Sequence, residues 1–200
     1  MRCSVSPLEN RQTRGYYTGK MFPRLPYHGR IRTMLLGDLP AVLAIEEASF
    51  PRPWSEKGFA AILRLAKVYR AYVFEPRHEI VGYLIFDQRD QDVHLLKLAV
   101  HPEHRGQGHA SHMLSELETE AIAFLTARQD QAGRDAPPNG VALGRMVLEL
   151  QESNLAAQLL YRKLGFRATR ILRGLYPEAD EDGYRMVKRL HAAPVETLSS

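Results

Sequence analysis

Residues 95–110 read Leu95-Leu96-Lys97-Leu98-Ala99-Val100-His101-Pro102-Glu103-His104-Arg105-Gly106-Gln107-Gly108-His109-Ala110, and this stretch decides the fold. An apolar run ends at a turn punctuated by Pro and Gly. Beyond it Ala110, Met113, Leu114, Leu117, Ala121, Phe124 and Leu125 recur at helical spacing. The order is therefore strand, loop, helix. Small residues at the end of the loop let consecutive backbone N–H groups face an anion, and a helix starting near His109 adds its positive dipole end. Arg105 adds a formal charge at the rim. Taken alone, Gly106-x-Gly108-x-Ala110 is more often a tight strand-to-helix turn, and it is the strand before and the helix after that point to anion binding. A dinucleotide-binding unit is disfavoured because no parallel strand-helix-strand pair with a terminal acid follows at the expected distance. A nucleotide-binding P-loop is disfavoured because Gly108-His109-Ala110 lacks the Lys-Ser/Thr ending.

Working outward, Ile31–Leu35 fits a first strand, and Gly37-Asp38 with Pro40 marks a helix start, with Asp38 placed to cap a helix reaching Ser49. Phe50-Pro51-Arg52-Pro53-Trp54 breaks it. Ser55 can cap a second helix whose Phe59, Ile62 and Leu63 fall at i, i+3 and i+4. Val68–Phe74 and Ile80–Phe86 suit an antiparallel hairpin, and Val93–Val100 continues the sheet. Residues 128–144 are polar and rich in breakers, which predicts a flexible loop insertion. Met146–Leu150 returns as a strand, Leu155–Leu164 as a helix ended by Gly165, and Phe166–Leu172 and Tyr184–Leu190 as two last strands around an acidic turn. This order describes one mixed α/β domain over residues 31–190.

Two hundred residues with 44% hydrophobic and 25% charged content are ordinary for a single globular core. One cysteine, Cys3, excludes an internal disulfide framework and suits a reducing compartment, so a cytoplasmic location is expected. No stretch approaches the roughly 18 apolar residues of a membrane span, and no partnership with a membrane is expected. The net charge is +4. Residues 1–30 hold six basic groups (Arg2, Arg11, Arg14, Lys20, Arg24, Arg30) and one acid, Glu9, a balance of +5 that leaves residues 31–200 at −1. The basic surplus thus belongs to the N-terminal thirty residues, read as a flexible extension, and residues 191–200 are read as a tail. Contact with nucleic acid is expected, if anywhere, only through the basic extension.

Glu149 lies in the apolar segment Met146-Val147-Leu148-Glu149-Leu150, where an ionised carboxylate costs free energy unless it has a partner or faces a cavity; an edge strand turned to solvent is the other reading. Asn154 and Tyr161 are seven residues apart, two helical turns, and so share nearly one face. His101, His104, His109 and His112 cluster in sequence, but no Cys is near and no metal is expected.

Arg105-x-x-Gly108-x-Ala110, Glu149, Ser153-Asn154-Leu155-Ala156-Ala157, Tyr161 and Leu164-Gly165-Phe166 together resemble the GNAT superfamily of acyl-CoA-dependent N-acetyltransferases, and within it the RimI-type ribosomal-protein-alanine N-acetyltransferases. Phe50 to Phe59 is similar to the Phe-Pro-Trp-Ser turn of that type, with two additional residues. Leu175-Tyr176-Pro177 with Glu181 to Met186 is similar to its C-terminal hairpin, although Leu175 stands where an aromatic residue is usual. The resemblance implies the GNAT fold, a central mixed, mostly antiparallel sheet with splayed fourth and fifth strands flanked by helices. It implies acetyl-CoA as co-substrate, its phosphates on Arg105, Gly106, Gln107, Gly108, His109 and Ala110, and its pantetheine arm along the backbone of Leu98, Ala99 and Val100 with Asn154 on the amides. It further implies Glu149 as general base acting through water, Tyr161 as the acid for the departing thiolate, and Trp54 and Tyr176 in the walls of a groove for a protein N-terminus. The acceptor implied is the N-terminal Ala of a small-subunit ribosomal protein. Two alternatives stay open on the residues: a small-molecule amine acetyltransferase, and a non-catalytic acyl-CoA-binding module.

Overall fold

The computed structural model describes residues 29–131 and 142–192. Seven strands form one sheet: β1 (Gly29–Thr33), β2 (Tyr69–Pro76), β3 (Gly82–Arg89), β4 (Asp92–Val100), β5 (Gly144–Gln151), β6 (Arg167–Tyr176) and β7 (Glu181–Leu190). Their spatial order is β1-β2-β3-β4-β5-β7-β6, antiparallel throughout except where β4 meets β5. Helices α1 (Leu39–Ser49) and α2 (Glu56–Arg64) lie between β1 and β2, α3 (His109–Gln131) is the crossover from β4 to β5, and α4 (Leu155–Lys163) joins β5 to β6. The parallel pair requires such a crossover, because a tight hairpin can only reverse the chain.

Every residue of β3 from Gly82 to Asp87 is buried, since helices cover both faces there. On one face Leu84, Phe86, Leu95, Val100, Leu148, Leu150 and Met186 pack with Met113, Leu114 and Leu117 of α3 and Tyr161 of α4. On the other face Val73, Tyr83, Ile85 and Ala99 pack with Val42 and Ile45 of α1 and Phe59 of α2. Helices α1 and α2 thus sit over β2–β4, and among the described residues β5, β7 and β6 carry no helix on that face.

Local chemistry sets the helix ends. Ser55 Oγ accepts from the Gly58 N–H at 3.2 Å and caps α2, as its position predicts. Asp38 behaves differently. Its side chain makes no cap bond to α1 but accepts from the Leu35 N–H at 2.7 Å and pairs with Arg32 at 2.6 Å, and this pairing holds its carboxyl below the usual range. A nearby guanidinium outcompetes the helix N–H groups for the carboxylate. Helix α3 runs to Gln131, beyond the expected loop start at 128, because Leu125 continues the buried stripe and Arg128 bonds the Asp90 carbonyl at 2.9 Å. The first strand starts two residues before Ile31, where Gly29 faces Pro76. Nearly all of the expected N-terminal extension, most of the 128–144 loop and most of the C-terminal tail lie outside the described residues.

Gly144 opens β5 where the parallel ladder begins. A Cβ there would stand 2.1 Å from the Gln91 carbonyl oxygen and 2.8 Å from Leu125 Cδ1, so even one methyl group forces the backbone aside. Gly144→Ala is expected to cost about 1–3 kcal/mol, which at roughly 2–4 °C per kcal/mol is a clear fall in Tm by calorimetry. An unchanged Tm would show that this junction is not close-packed.

Candidate active site

The register of β4 explains how a cleft opens inside the sheet. Ile85 of β3 faces Lys97 and Phe86 faces Leu95, so Leu96 is an extra residue, a β-bulge. A bulge bends its strand and sharpens the local twist. On the other side, the parallel ladder with β5 runs from Asp92/Arg145 to Leu95/Leu148 and ends there. Both strands continue: β4 stays paired to β3 as far as Val100, and β5 to β7 as far as Gln151. Between them the inner edges Leu96–Val100 and Glu149–Gln151 diverge into a wedge of backbone with no strand partner among the described residues. Leu98, Ala99 and Val100 line one side of it. An extended ligand arm with amide groups can supply the missing pairing.

Because β4 and β5 are parallel, the segments that follow them emerge at the same end of the sheet, where ligands of such sheets bind. After β4 the chain makes a 3-10 turn over Pro102–His104, and Gly106 and Gly108 take φ of 76° and 83°. These angles lie in the left-handed region, and a Cβ on Gly106 would meet nothing within 4 Å, so it is conformation rather than space that requires glycine there. Arg105, Gly106 and Gln107 are exposed, Gly108 and Ala110 half-buried, and His109 is buried as the first residue of α3. The His109 ring lies 5.1 Å from that of Phe74, and burial, followed by the nearby His104 and His112, holds its pKa below the ordinary value. The guanidinium of Arg105 turns back from the rim expected from the sequence: Nε donates to the Val100 carbonyl at 2.9 Å and Nη2 to Ser49 Oγ at 3.0 Å. It ties the loop to the end of β4 and to α1. No cluster of three potential metal-ligating side chains occurs among the described residues.

After β5, Asn154 caps α4 by accepting from the Ala157 N–H at 3.2 Å, which uses its amide oxygen and leaves its NH2 outside the cap. Tyr161, two turns on, is buried in the core cluster with its ring 5.5 Å from that of Phe166. Burial alone pushes its phenol pKa up. Glu149 is exposed, although β5 is an inner strand, because it shares with Arg145 the face that α1 and α2 do not cover; it lies one residue past the end of the ladder. Arg185, directly opposite on β7, donates through Nε at 3.0 Å and Nη2 at 2.7 Å, and both contacts fall on Oε1. Tyr176 is half-buried beside it, and its phenol pKa is raised by burial and then by Glu149 and Glu181.

Two links hold the α1–α2 turn above this region. On the outside, Arg52 reaches the hairpin that joins β6 to β7, meeting the Glu178 carbonyl and carboxylate at 3.0 Å each. Inside, the carboxylate of Glu46 on α1 is fully buried and accepts from the Trp54 N–H at 2.7 Å, from the Tyr83 hydroxyl and from Lys97 Nζ. The Lys97 ammonium also lies 4.3 Å from the ring centres of both Phe50 and Trp54. Burial lowers its pKa against the opposing pull of Glu46. The sequence reading passed over Glu46 and Lys97; a lysine inside an apolar strand that flanks the loop was the available signal.

A model of the acetyltransferase (GNAT) domain matches residues 67–168. The chain is 29% identical over 147 residues to the [ribosomal protein bS18]-alanine N-acetyltransferase of Escherichia coli K12, a match spanning 72% of this chain and 84% of that protein. It is 30% identical over 157 residues to a putative protein of the same name from Bacillus subtilis, spanning 78% and 92%. The crystal structure of the Escherichia coli ribosomal-protein-S18-alanine N-acetyltransferase superposes with a TM-score of 0.66, covering 86% of this chain and 99% of that one.

The Glu46–Lys97 pair makes a measurable claim. Lys97→Met strands a buried carboxylate and is expected to cost about 3–5 kcal/mol in urea unfolding, while Glu46→Gln combined with Lys97→Met recovers much of that loss. Additive losses in the double-mutant cycle would show that the two groups are not coupled.

Proposed function

The chain belongs to the GNAT acetyltransferase family, and on that premise we propose that it transfers acetyl from acetyl-CoA to the α-amine of a protein N-terminus, the N-terminal Ala of a small-subunit ribosomal protein. One observation carries this reading: Glu149 stands at the closed end of the β4–β5 wedge, with Tyr176 beside it and the turn that carries Trp54 tied through Arg52 to the Tyr176 hairpin. An acyl group carried on an arm along Leu98–Val100 ends at that carboxylate. The relatives support the acceptor, since their names specify a ribosomal protein alanine. A reducing cytoplasm, where ribosomes are, suits a chain with a single cysteine.

The residues divide the work. The N–H groups of Gly106 to Ala110 and the dipole of α3 receive the phosphates. An α-amine with pKa about 7.7–8.0 needs only a modest base, and Glu149 takes its proton through water at Oε2, while Arg185 fixes the carboxylate through Oε1. The Val100 N–H stabilises the developing oxyanion. Tyr161 keeps its proton until thiolate charge appears, then donates it. Trp54 and Tyr176 hold the first residues of the acceptor between them.

Glu149→Gln and Tyr161→Phe are each expected to lower kcat on an Ala-initiated peptide by roughly 10²-fold or more with acetyl-CoA affinity unchanged by calorimetry. Full turnover in both variants would refute the assignment. On a peptide array the rate should depend on the second and third residues; indifference to them would favour a small-molecule amine as acceptor.

A further inference from the structure

On the face that α1 and α2 leave open, arginine dominates. In β7, Met186 and Leu190 point into the core and Lys188 reaches Glu118 of α3 at 2.6 Å, so Arg185, Val187 and Arg189 face the other way. Register places Arg145 of β5 opposite Arg189, Arg170 of β6 opposite Arg185, and Arg167 opposite Val187. Two cross-strand pairs therefore set like charges directly against each other, an arrangement that destabilises a sheet. Compensation is partial: Asp92 pairs with Arg145 at 2.6 Å and Glu149 with Arg185 at 2.7 Å. Arg167, Arg170 and Arg189 are exposed and make no ion pair among the described residues. An open depression lined by Arg89, Asp90, Asp92, His94, Arg145 and Arg189 extends the patch toward β3.

We infer that this face docks on the phosphate backbone of double-helical RNA. The patch offers a polyanion guanidinium groups roughly 5 Å apart across strands and roughly 7 Å apart for every second residue along them. Each planar fork can take two phosphate oxygens. A protein partner would need a central apolar anchor, yet the middle of the face offers only Val147, itself buried, and Val187. A single strand would want an aromatic platform for its bases, and the ring that β6 brings to this face, Tyr176, stands at the far end beside Glu149 and Gly183 rather than between Arg145, Arg167, Arg170 and Arg189. The choice of RNA over DNA rests on the ribosomal-protein acceptor proposed above. Arg185 touches both Glu149 and this face, so the docked backbone lies beside the acceptor groove.

Fluorescence anisotropy of the full chain with a short duplex RNA, across a salt series and without acceptor or acetyl-CoA, tests the inference. The variant Arg167→Gln/Arg170→Gln/Arg189→Gln should bind roughly tenfold or more weakly, with the slope of log affinity against log salt reduced by about 2–3. It should acetylate a short peptide at the parental rate. Arg64→Gln/Arg162→Gln/Lys163→Gln, which removes the same charge elsewhere, should bind like the parent. Equal losses in both variants, no loss in the first, or duplex DNA or polyglutamate bound as tightly as RNA would overturn it. Because no acetyl transfer is measured in the titration, a failure here is separate from a failure of the proposed reaction.

Discussion

A single extra residue in one strand governs the rest of this molecule. With Leu96 inserted, β4 keeps its pairing to β3 on one side but does not also stay paired to β5 on the other, so the sheet divides there. The opening costs several backbone hydrogen bonds. It is tolerable because each diverging strand retains its outer partner and because α3 and α4 pack beneath the division with Met113, Leu114 and Tyr161. Everything with chemical character collects at that opening: the glycine turn, the cap of α4, the buried phenol and the carboxylate of Glu149.

Much of this was legible in the sequence, for identifiable reasons. Alternating and helical apolar spacings gave the element order, because burial on one or two faces writes directly into such periods. The sites that resemble the GNAT family were visible because glycine, asparagine and a lone acid stand out against apolar surroundings. The bulge was not visible, since one additional leucine in the run Leu95-Leu96-Lys97-Leu98 changes no pattern until the partner strand is known. Glu46 and Lys97 escaped for a related reason: 51 positions apart, each reads singly as a polar residue of an amphipathic element. The side-chain cap expected from Asp38 gives way to its pairing with the Arg32 guanidinium, and the Arg105 guanidinium turns to the Val100 carbonyl and to Ser49, neither of which the local pattern announces.

Charge behaves likewise. Summed along the chain, residues 31–200 are nearly neutral, and the basic surplus falls in the first thirty residues. Strand register then sorts that neutral balance in space, gathering arginines on β5, β7 and β6 while the acids Glu46, Asp87 and Glu118 are taken up in buried or helix-facing pairs. A total near zero therefore coexists with a strongly cationic face.

The bridge from Arg52 to Glu178 has a consequence in topology. By joining the α1–α2 turn to the β6–β7 hairpin, it closes the chain into a loop through side chains as well as backbone. A polypeptide can pass through such an eye only end first, and the middle of a folded chain cannot be laid in from the side. On the proposed function, discrimination between a chain terminus and an internal segment then needs no recognition of sequence. Both partners of the clasp are about two-thirds exposed, so it is worth at most about 1 kcal/mol and opens readily.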